Sequence, residues 1–394
     1  MVVSERTHSV TFPTVSEGPP MTVAILGCTG YVGNRFVRSL KSTAPEIVVR
    51  AIGRNRTKLR TLKANANVAD VRIWEQGTDL GEVLAGADAC VDLSFGLSGI
   101  PSEVIRKASA HARNLIETAH KNGIRKVIIV GSIAVYGEPL IQYPWEESPS
   151  PAQLHPNTLY GRSKAVVEAV AFKYARRLGV ELALVRSGHI LGPGSKMAAN
   201  IAGQILAGGA TRLEHLSAPS NATTIEGLNG TLLALLQNEN TSAPIVGNHV
   251  DLADMSYDKI VDHVADALGL DATICPLPNH QTKRSLHQNL FRFIRSRQKK
   301  ILYMQSFVGR YDMGVSARLL HHLKPSYSSA VIRWNGSQYA AATPSALVPL
   351  YESNPVPHSS EIFGQTIKGR ILDEALKDVT RWLRSAGFSI PDQA

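Results

Sequence analysis

Tyr160 and Lys164 stand four residues apart in Tyr160-Gly161-Arg162-Ser163-Lys164. On a helix that spacing puts a phenol and an ammonium on one face. A free tyrosine, with a pKa of about 10, is a poor base near neutrality. A neighbouring ammonium favours the phenolate and brings the group toward working range. The spacing alone also occurs by chance on surface helices. Ser132 adds to it, because in Val130-Gly131-Ser132-Ile133-Ala134-Val135-Tyr136-Gly137 it follows an apolar run. A hydroxyl at the C-terminal end of a buried strand lies where open α/β sheets bind ligands, although serine is equally a common turn former. Together the three side chains could move a proton to or from a substrate oxygen.

A second constellation is Gly27-Cys28-Thr29-Gly30-Tyr31-Val32-Gly33, which directly follows Thr22-Val23-Ala24-Ile25-Leu26. A glycine turn between a strand and a helix is the setting of a dinucleotide pyrophosphate site. Gly27 permits the tight turn, Gly30 lets the backbone approach the phosphates, and Gly33 lets helix and strand pack closely. The phosphates would lie on the N–H groups at the helix start. The end of the second strand bears on cofactor choice. An acid there accepts from the ribose 2′-OH of NAD, but this chain has Gly53-Arg54-Asn55-Arg56. An arginine can pair with a 2′-phosphate, so the reading favours NADP. The alternative is that Arg54 is a solvated loop residue and NAD is accepted.

These residues need a scaffold, and the hydrophobic pattern supplies one. Short apolar runs at Thr22–Leu26, Ile47–Ile52, Val71–Trp74, Ala89–Leu93, Lys126–Val130 and Leu182–Val185 read as buried strands. Helical spacing separates them, at Tyr31–Leu40, around Asp79–Leu84, over about 102–122, and from Tyr160 onward. Alternation of strand and helix implies an α/β fold, a doubly wound parallel Rossmann sheet with right-handed crossovers. The expected division is a flexible extension over 1–20, a dinucleotide-binding domain over 21–195 with some later segments returning to it, and a smaller C-terminal α/β substrate lobe over 196–394.

Composition narrows the class. Hydrophobic residues at 44% and charged residues at 19% allow a sizeable core. No apolar run nears the roughly 20 residues of a membrane span. The first twenty residues lack the apolar stretch of a signal peptide. Cys28, Cys90 and Cys275 suggest no disulfide framework, and Cys28 and Cys90 fit small apolar filler in a reducing cytoplasm. No metal-ligand set is read.

The net charge of +10 is concentrated: 281–324 holds ten Lys or Arg and one acid, Asp312. Within it Leu286, Leu290, Phe293, Ile294, Ile301 and Leu302 form a partial apolar stripe. Three readings stay open, namely a solvated helix face, a site for an acidic substrate, and a peripheral membrane contact through 283–302. Nucleic acid is not an expected partner, because no nucleic-acid motif is present.

The chain resembles the extended short-chain dehydrogenases/reductases of the NAD-dependent epimerase/dehydratase family. The matching residues are Gly27, Gly30 and Gly33; Asp92-Leu93-Ser94; Ser132 with Val135-Tyr136-Gly137; Tyr160 to Lys164; and Arg186-Ser187-Gly188-His189-Ile190-Leu191-Gly192-Pro193-Gly194. The resemblance spans about 21–270, with a fainter echo in Ala375 to Leu383. It implies that Tyr160 is the catalytic acid/base, that Lys164 binds the nicotinamide ribose and lowers the tyrosine pKa, and that Ser132 binds the substrate oxygen. Gly27, Thr29, Gly30, Tyr31, Val32, Gly33, Arg54, Asp92, Leu93 and Ser94 would then hold the cofactor with Tyr160 and Lys164. It also implies a homodimer through the Tyr160 helix and its neighbour.

One departure concerns His189, which stands where many sugar-nucleotide members carry an asparagine. It could donate to a substrate phosphate or be a packed loop residue. Three functions follow. The first is hydride transfer at a carbinol or carbonyl carbon of an anionic small molecule, a nucleotide sugar, by an oxidoreductase or epimerase. The second is NADP-dependent reduction or oxidation of a hydroxysteroid-like or other apolar carbonyl. The third is a nucleotide-sensing protein without catalysis.

Overall fold

The computed structural model describes residues 20–275 except 67, 76–77, 97–98, 138–149, 155, 207, 209–210, 215–216 and 239–243, together with 347, 351, 353–359, 362 and 376–382. The basic segment 281–324 and nearly all of the N-terminal extension lie outside these residues.

The strands and helices alternate as β1 (Thr22–Leu26), α1 (Tyr31–Thr43), β2 (Val48–Gly53), α2 (Arg56–Asn65), β3 (Val68–Ile73), α3 (Leu80–Leu84), β4 (Ala89–Asp92), α4 (Pro101–Lys121), β5 (Lys126–Ser132), α5 (Leu159–Leu178) and β6 (Glu181–Ser187). The chain continues through β7 (His189–Leu191), α6 (Lys196–Leu206), β8 (Arg212–Leu213), β9 (Ala222–Thr224), α7 (Ile225–Gln237), β10 (Ile245–His249), α8 (Tyr257–Leu268) and β11 (Ile274–Cys275). Seven strands form one parallel sheet in the order β10-β6-β5-β4-β1-β2-β3. The expected doubly wound α/β sheet is therefore present. Its order reverses between β1 and β4, which opens a crevice at their carboxyl ends.

Alternate residues of each central strand serve opposite faces, the period-two rule of a pleated sheet. Val23 and Ile25 of β1 join one buried cluster with Phe36, Val37 and Leu40 of α1 and Leu228 and Leu232 of α7. Ala24 and Leu26 join the other, with Leu115 and Ile116 of α4 and Val167 and Ala171 of α5. Burial on both faces is why these strands read as unbroken apolar runs. A third cluster unites Leu191, α6 and α8 with Leu376 and Val379.

Two elements differ from the sequence reading. β3 starts at Val68, three residues before Val71, because Val68 pairs with Val49 while Asp70 and Arg72 face outward. It is an edge strand, so its apolar run is interrupted. β10 closes the other edge beside β6 and ends in Asn248 and His249, which are buried through hydrogen bonds rather than apolar contact.

Candidate active site

The parallel register brings the ends of β1, β4, β5 and β6 to one edge, and the predicted site residues stand there. Ser132 is the last residue of β5, and its hydroxyl accepts from the Ala134 N–H at 3.2 Å, starting a 3-10 turn over Ile133–Tyr136. α5 begins beside this turn. Thr158 caps the helix by accepting from the Gly161 N–H at 3.1 Å. Gly161 is required there, because a Cβ would press into the Ala134 carbonyl. This close approach places Tyr160 against Ser132, whose hydroxyl hydrogen-bonds the phenol.

Tyr160 is half-buried, and burial raises its pKa above the ordinary tyrosine value, with the Ser132 hydrogen bond working in the opposite direction. Lys164 stands on the same helix face, with its amine engaged elsewhere. The Lys164 Nζ donates to the Val130 carbonyl at 2.9 Å and lies 4.6 Å from the centre of the Phe95 ring. Burial draws its own pKa down, while the Asp92 and Glu168 carboxylates oppose that. Phe95 also meets the Tyr160 ring edge-on at 5.0 Å, yet keeps 38% of its surface exposed.

The glycine turn lies across the crevice from this pair. Gly27 has φ +76°, and a Cβ on it would fall 2.7 Å from the Leu93 carbonyl and the Ser94 nitrogen. A Cβ on Gly33 would run into the Gly27 carbonyl. Gly30, at the cap of α1, makes no side-chain cap hydrogen bond, and no acid occupies the first helical turn, which includes Tyr31 and Val32. Backbone walls closed to side chains and an uncompensated helix start suit a pyrophosphate. Gly53, at the end of β2, packs on the Thr29 side chain. Arg54 follows it in the open, while Arg56 pairs with Glu75 at 3.7 Å.

Asp92 closes β4 and is buried. One carboxyl oxygen accepts from the Ser94 N–H at 2.9 Å and the Ser94 hydroxyl at 2.5 Å, and the other lies 2.6 Å from Nε2 of His111 on α4. Burial alone would raise the Asp92 pKa, but His111 and Ser94 bring it below the usual carboxylate value. Burial likewise opposes the His111 charge, but Asp92 lifts that pKa above the ordinary histidine value.

His189 opens β7 and is exposed. Lost hydration holds its pKa below the ordinary value.

Sequence reasoning missed His111, Phe95 and a buried chain behind the site. Glu168 lies one turn beyond Lys164 and pairs with Arg186 at 2.9 Å, both fully buried. Arg186 donates to the Tyr136 hydroxyl at 2.8 Å, which donates to Asn248 at 2.6 Å. The four-residue step Tyr160, Lys164, Glu168 was the available signal for Glu168. Among the described residues no cluster of His, Cys, Asp or Glu could hold a metal, and no helix is long and apolar enough to cross a membrane.

Solved structures share this fold at low identity. The enzyme WbmG from Bordetella bronchiseptica, in complex with NAD, is 14% identical with a TM-score of 0.60, over 95% of this chain and 98% of that one. UDP-glucuronic acid 4-epimerase from Bacillus cereus, in complex with UDP-glucuronic acid and NAD, is 14% identical with a TM-score of 0.57, over 93% and 100%. MoeE5, in complex with UDP-glucuronic acid and NAD, is 15% identical with a TM-score of 0.59, over 93% and 99%. No curated protein matches the chain at a significant level. The family model for NAD dependent epimerases/dehydratases matches residues 23–220, half of the chain, and the protein belongs to that enzyme family.

Proposed function

We propose that this protein uses NADP(H) to oxidise or reduce a carbinol or carbonyl carbon of a nucleotide sugar, with Tyr160 as acid/base, Ser132 binding the substrate oxygen, and Lys164 binding the nicotinamide ribose. The observation that carries this is the Ser132–Tyr160 hydrogen bond at the carboxyl ends of β5 and α5's first turn, with Lys164 on the same helix face and the glycine turn opposite. The bound nicotinamide supplies the hydride acceptor or donor. Burial favours the protonated phenol of Tyr160, which suits the step in which a carbonyl oxygen receives its proton. The reverse step needs the phenolate, which the Lys164 ammonium favours once it turns from the Val130 carbonyl. Ser132 holds the oxygen as its charge changes. Arg54, unpaired among the described residues, supports the 2′-phosphate, and the exposed His189 at the start of β7 supports an anionic substrate. We assign 21–195 to cofactor binding, with β10 joining that sheet and α7 packing on it, and the rest of 196–394 to the substrate lobe.

The exposed Phe95 ring beside Tyr160 favours a second reading, an apolar carbonyl substrate. Thermal shift separates the two, since a ligand that binds only the native state raises the midpoint. The nucleotide-sugar reading expects stabilisation by NADP and by uridine or thymidine diphosphate; stabilisation by apolar ketones alone would reverse it. Tyr160→Phe should reduce turnover of the substrate so identified by roughly 10²-fold or more. Undiminished turnover would remove Tyr160 from the chemistry.

A further inference from the structure

We propose that His111 is a positioning residue for the anionic cofactor, whose proton neutralises the Asp92 carboxylate beside the glycine turn and so lets a pyrophosphate lie there. The inference rests on the cofactor reading above.

The crevice poses an electrostatic problem. The backbone immediately after Asp92 forms the wall that a Gly27 Cβ would strike. A buried carboxylate at that point repels any dinucleotide placed on the turn, and burial leaves the repulsion poorly screened by salt. The sequence places no cation next to Asp92 along the chain: its neighbours are Val91 and Leu93. The hydrogen-bonded compensating charge comes instead from α4, where His111 approaches the carboxyl at 2.6 Å, while the Lys164 ammonium of α5 also feels the carboxylate.

The groups around His111 are few. Asp92 and Ser94 reach it from the end of β4, the latter at 3.4 Å, and the Trp74 ring stacks at 5.5 Å from beyond β3. From α5, Lys164 opposes its protonation, and Cys90 of β4 feels the same carboxylate. With Asp92 as its hydrogen-bonded acid, His111 holds its proton more tightly than an ordinary histidine. While it is protonated, the pair is neutral overall. Once it deprotonates, the Asp92 carboxylate loses its hydrogen-bonded cation and stands as a negative charge against the cofactor. A unit charge about 10 Å away, in an effective dielectric near 20, changes an affinity on the order of tenfold.

The test is the affinity for NADPH and for NADH, read by fluorescence from about pH 6 to about pH 9, for wild type, His111→Gln and the His111→Gln/Asp92→Asn double variant. Wild-type binding should weaken on the order of tenfold as pH rises through the folded His111 pKa. His111→Gln should bind weakly at every pH with that limb gone, and adding Asp92→Asn, which removes the repelling charge, should give tighter binding than His111→Gln alone. By reciprocity, NADPH should raise the His111 pKa, followed on the imidazole protons by NMR in unaltered protein. This last measurement stands even if His111→Gln folds poorly. An unchanged pH limb in His111→Gln, failure of the double variant to recover, or an unmoved His111 pKa each overturns the inference while leaving the cofactor reading intact. Wild type that binds neither dinucleotide overturns both.

Discussion

Arg54 illustrates how much one side chain decides. It follows β2 in the open, and its neighbour Arg56 has Glu75 as a partner. A charge-assisted hydrogen bond contributes about 1.5–3 kcal/mol. Arg54→Ala should therefore weaken NADP by roughly 10- to 150-fold and leave NAD unchanged, as measured by titration of both. Equal losses for the two would mean that Arg54 stacks on adenine instead. Gly27, Gly30, Gly33, Ser132, Tyr160, Lys164 and Arg54 were legible because each has a type and spacing that local chemistry explains. Asp92 was legible as a candidate site residue, but its partner was not. His111 lies 19 residues away on a different element. No local rule joins them; the register of β4 and the packing of α4 do. Phe95 escaped notice for the same reason, since its contact with Lys164 spans 69 residues and depends on where the turn after β4 points.

The elements show why the site is so closely defined. α5 and the 3-10 turn after β5 meet with Gly161 at the contact, so the distance between Ser132 and Tyr160 is set by backbone against backbone. Gly161→Ala forces the helix start away from the Ala134 carbonyl. Misplacement of reacting groups by about 1 Å can cost 10²-fold. The expected result is a loss of that order in kcat, with NADPH affinity far less affected because the glycine turn is on α1. Equal losses in both would show that α5 shifts as a whole. Central strands were readable in sequence as continuous apolar runs buried on both faces. α2 was not, since Arg56, Lys58, Arg60 and Lys63 leave only Leu59 and Leu62 fully buried. β10 was hidden by Gly247, Asn248 and His249, whose burial is satisfied by partners far along the chain: Tyr136 for Asn248 and Thr231 for His249.

At the scale of the whole molecule, histidines at two places pull stability in opposite directions with pH. His249, at the end of β10, is buried with its Nδ1 3.2 Å from the Thr231 hydroxyl and its ring 5.2 Å from that of His358. Burial, aided by His358, lowers its pKa to about 3. The unfolded chain, with an ordinary value near 6.5, binds this proton first, so stability falls as pH drops below about 6.5 toward 3. Between pH 7 and 5 this one group should remove about 2 kcal/mol. His111 acts the other way. Its folded pKa is raised, so its contribution is complete below about 6.5 and is lost as pH rises through the folded value. The pair Thr231–His249 fastens β10 to α7 in the cofactor half, and the His358 segment reaches it from the C-terminal part, where Ser359 also donates to the Asn248 carbonyl at 2.9 Å. Acid should therefore loosen the junction between sheet and C-terminal segment before it reaches the glycine turn. Urea midpoints at pH 7 and 5 check this. Wild type should lose about 2 kcal/mol more than His249→Gln, which keeps a hydrogen-bonding amide but does not titrate. Asp92→Asn should instead flatten the alkaline limb. If both variants track wild type across the range, neither histidine governs the pH stability of the fold.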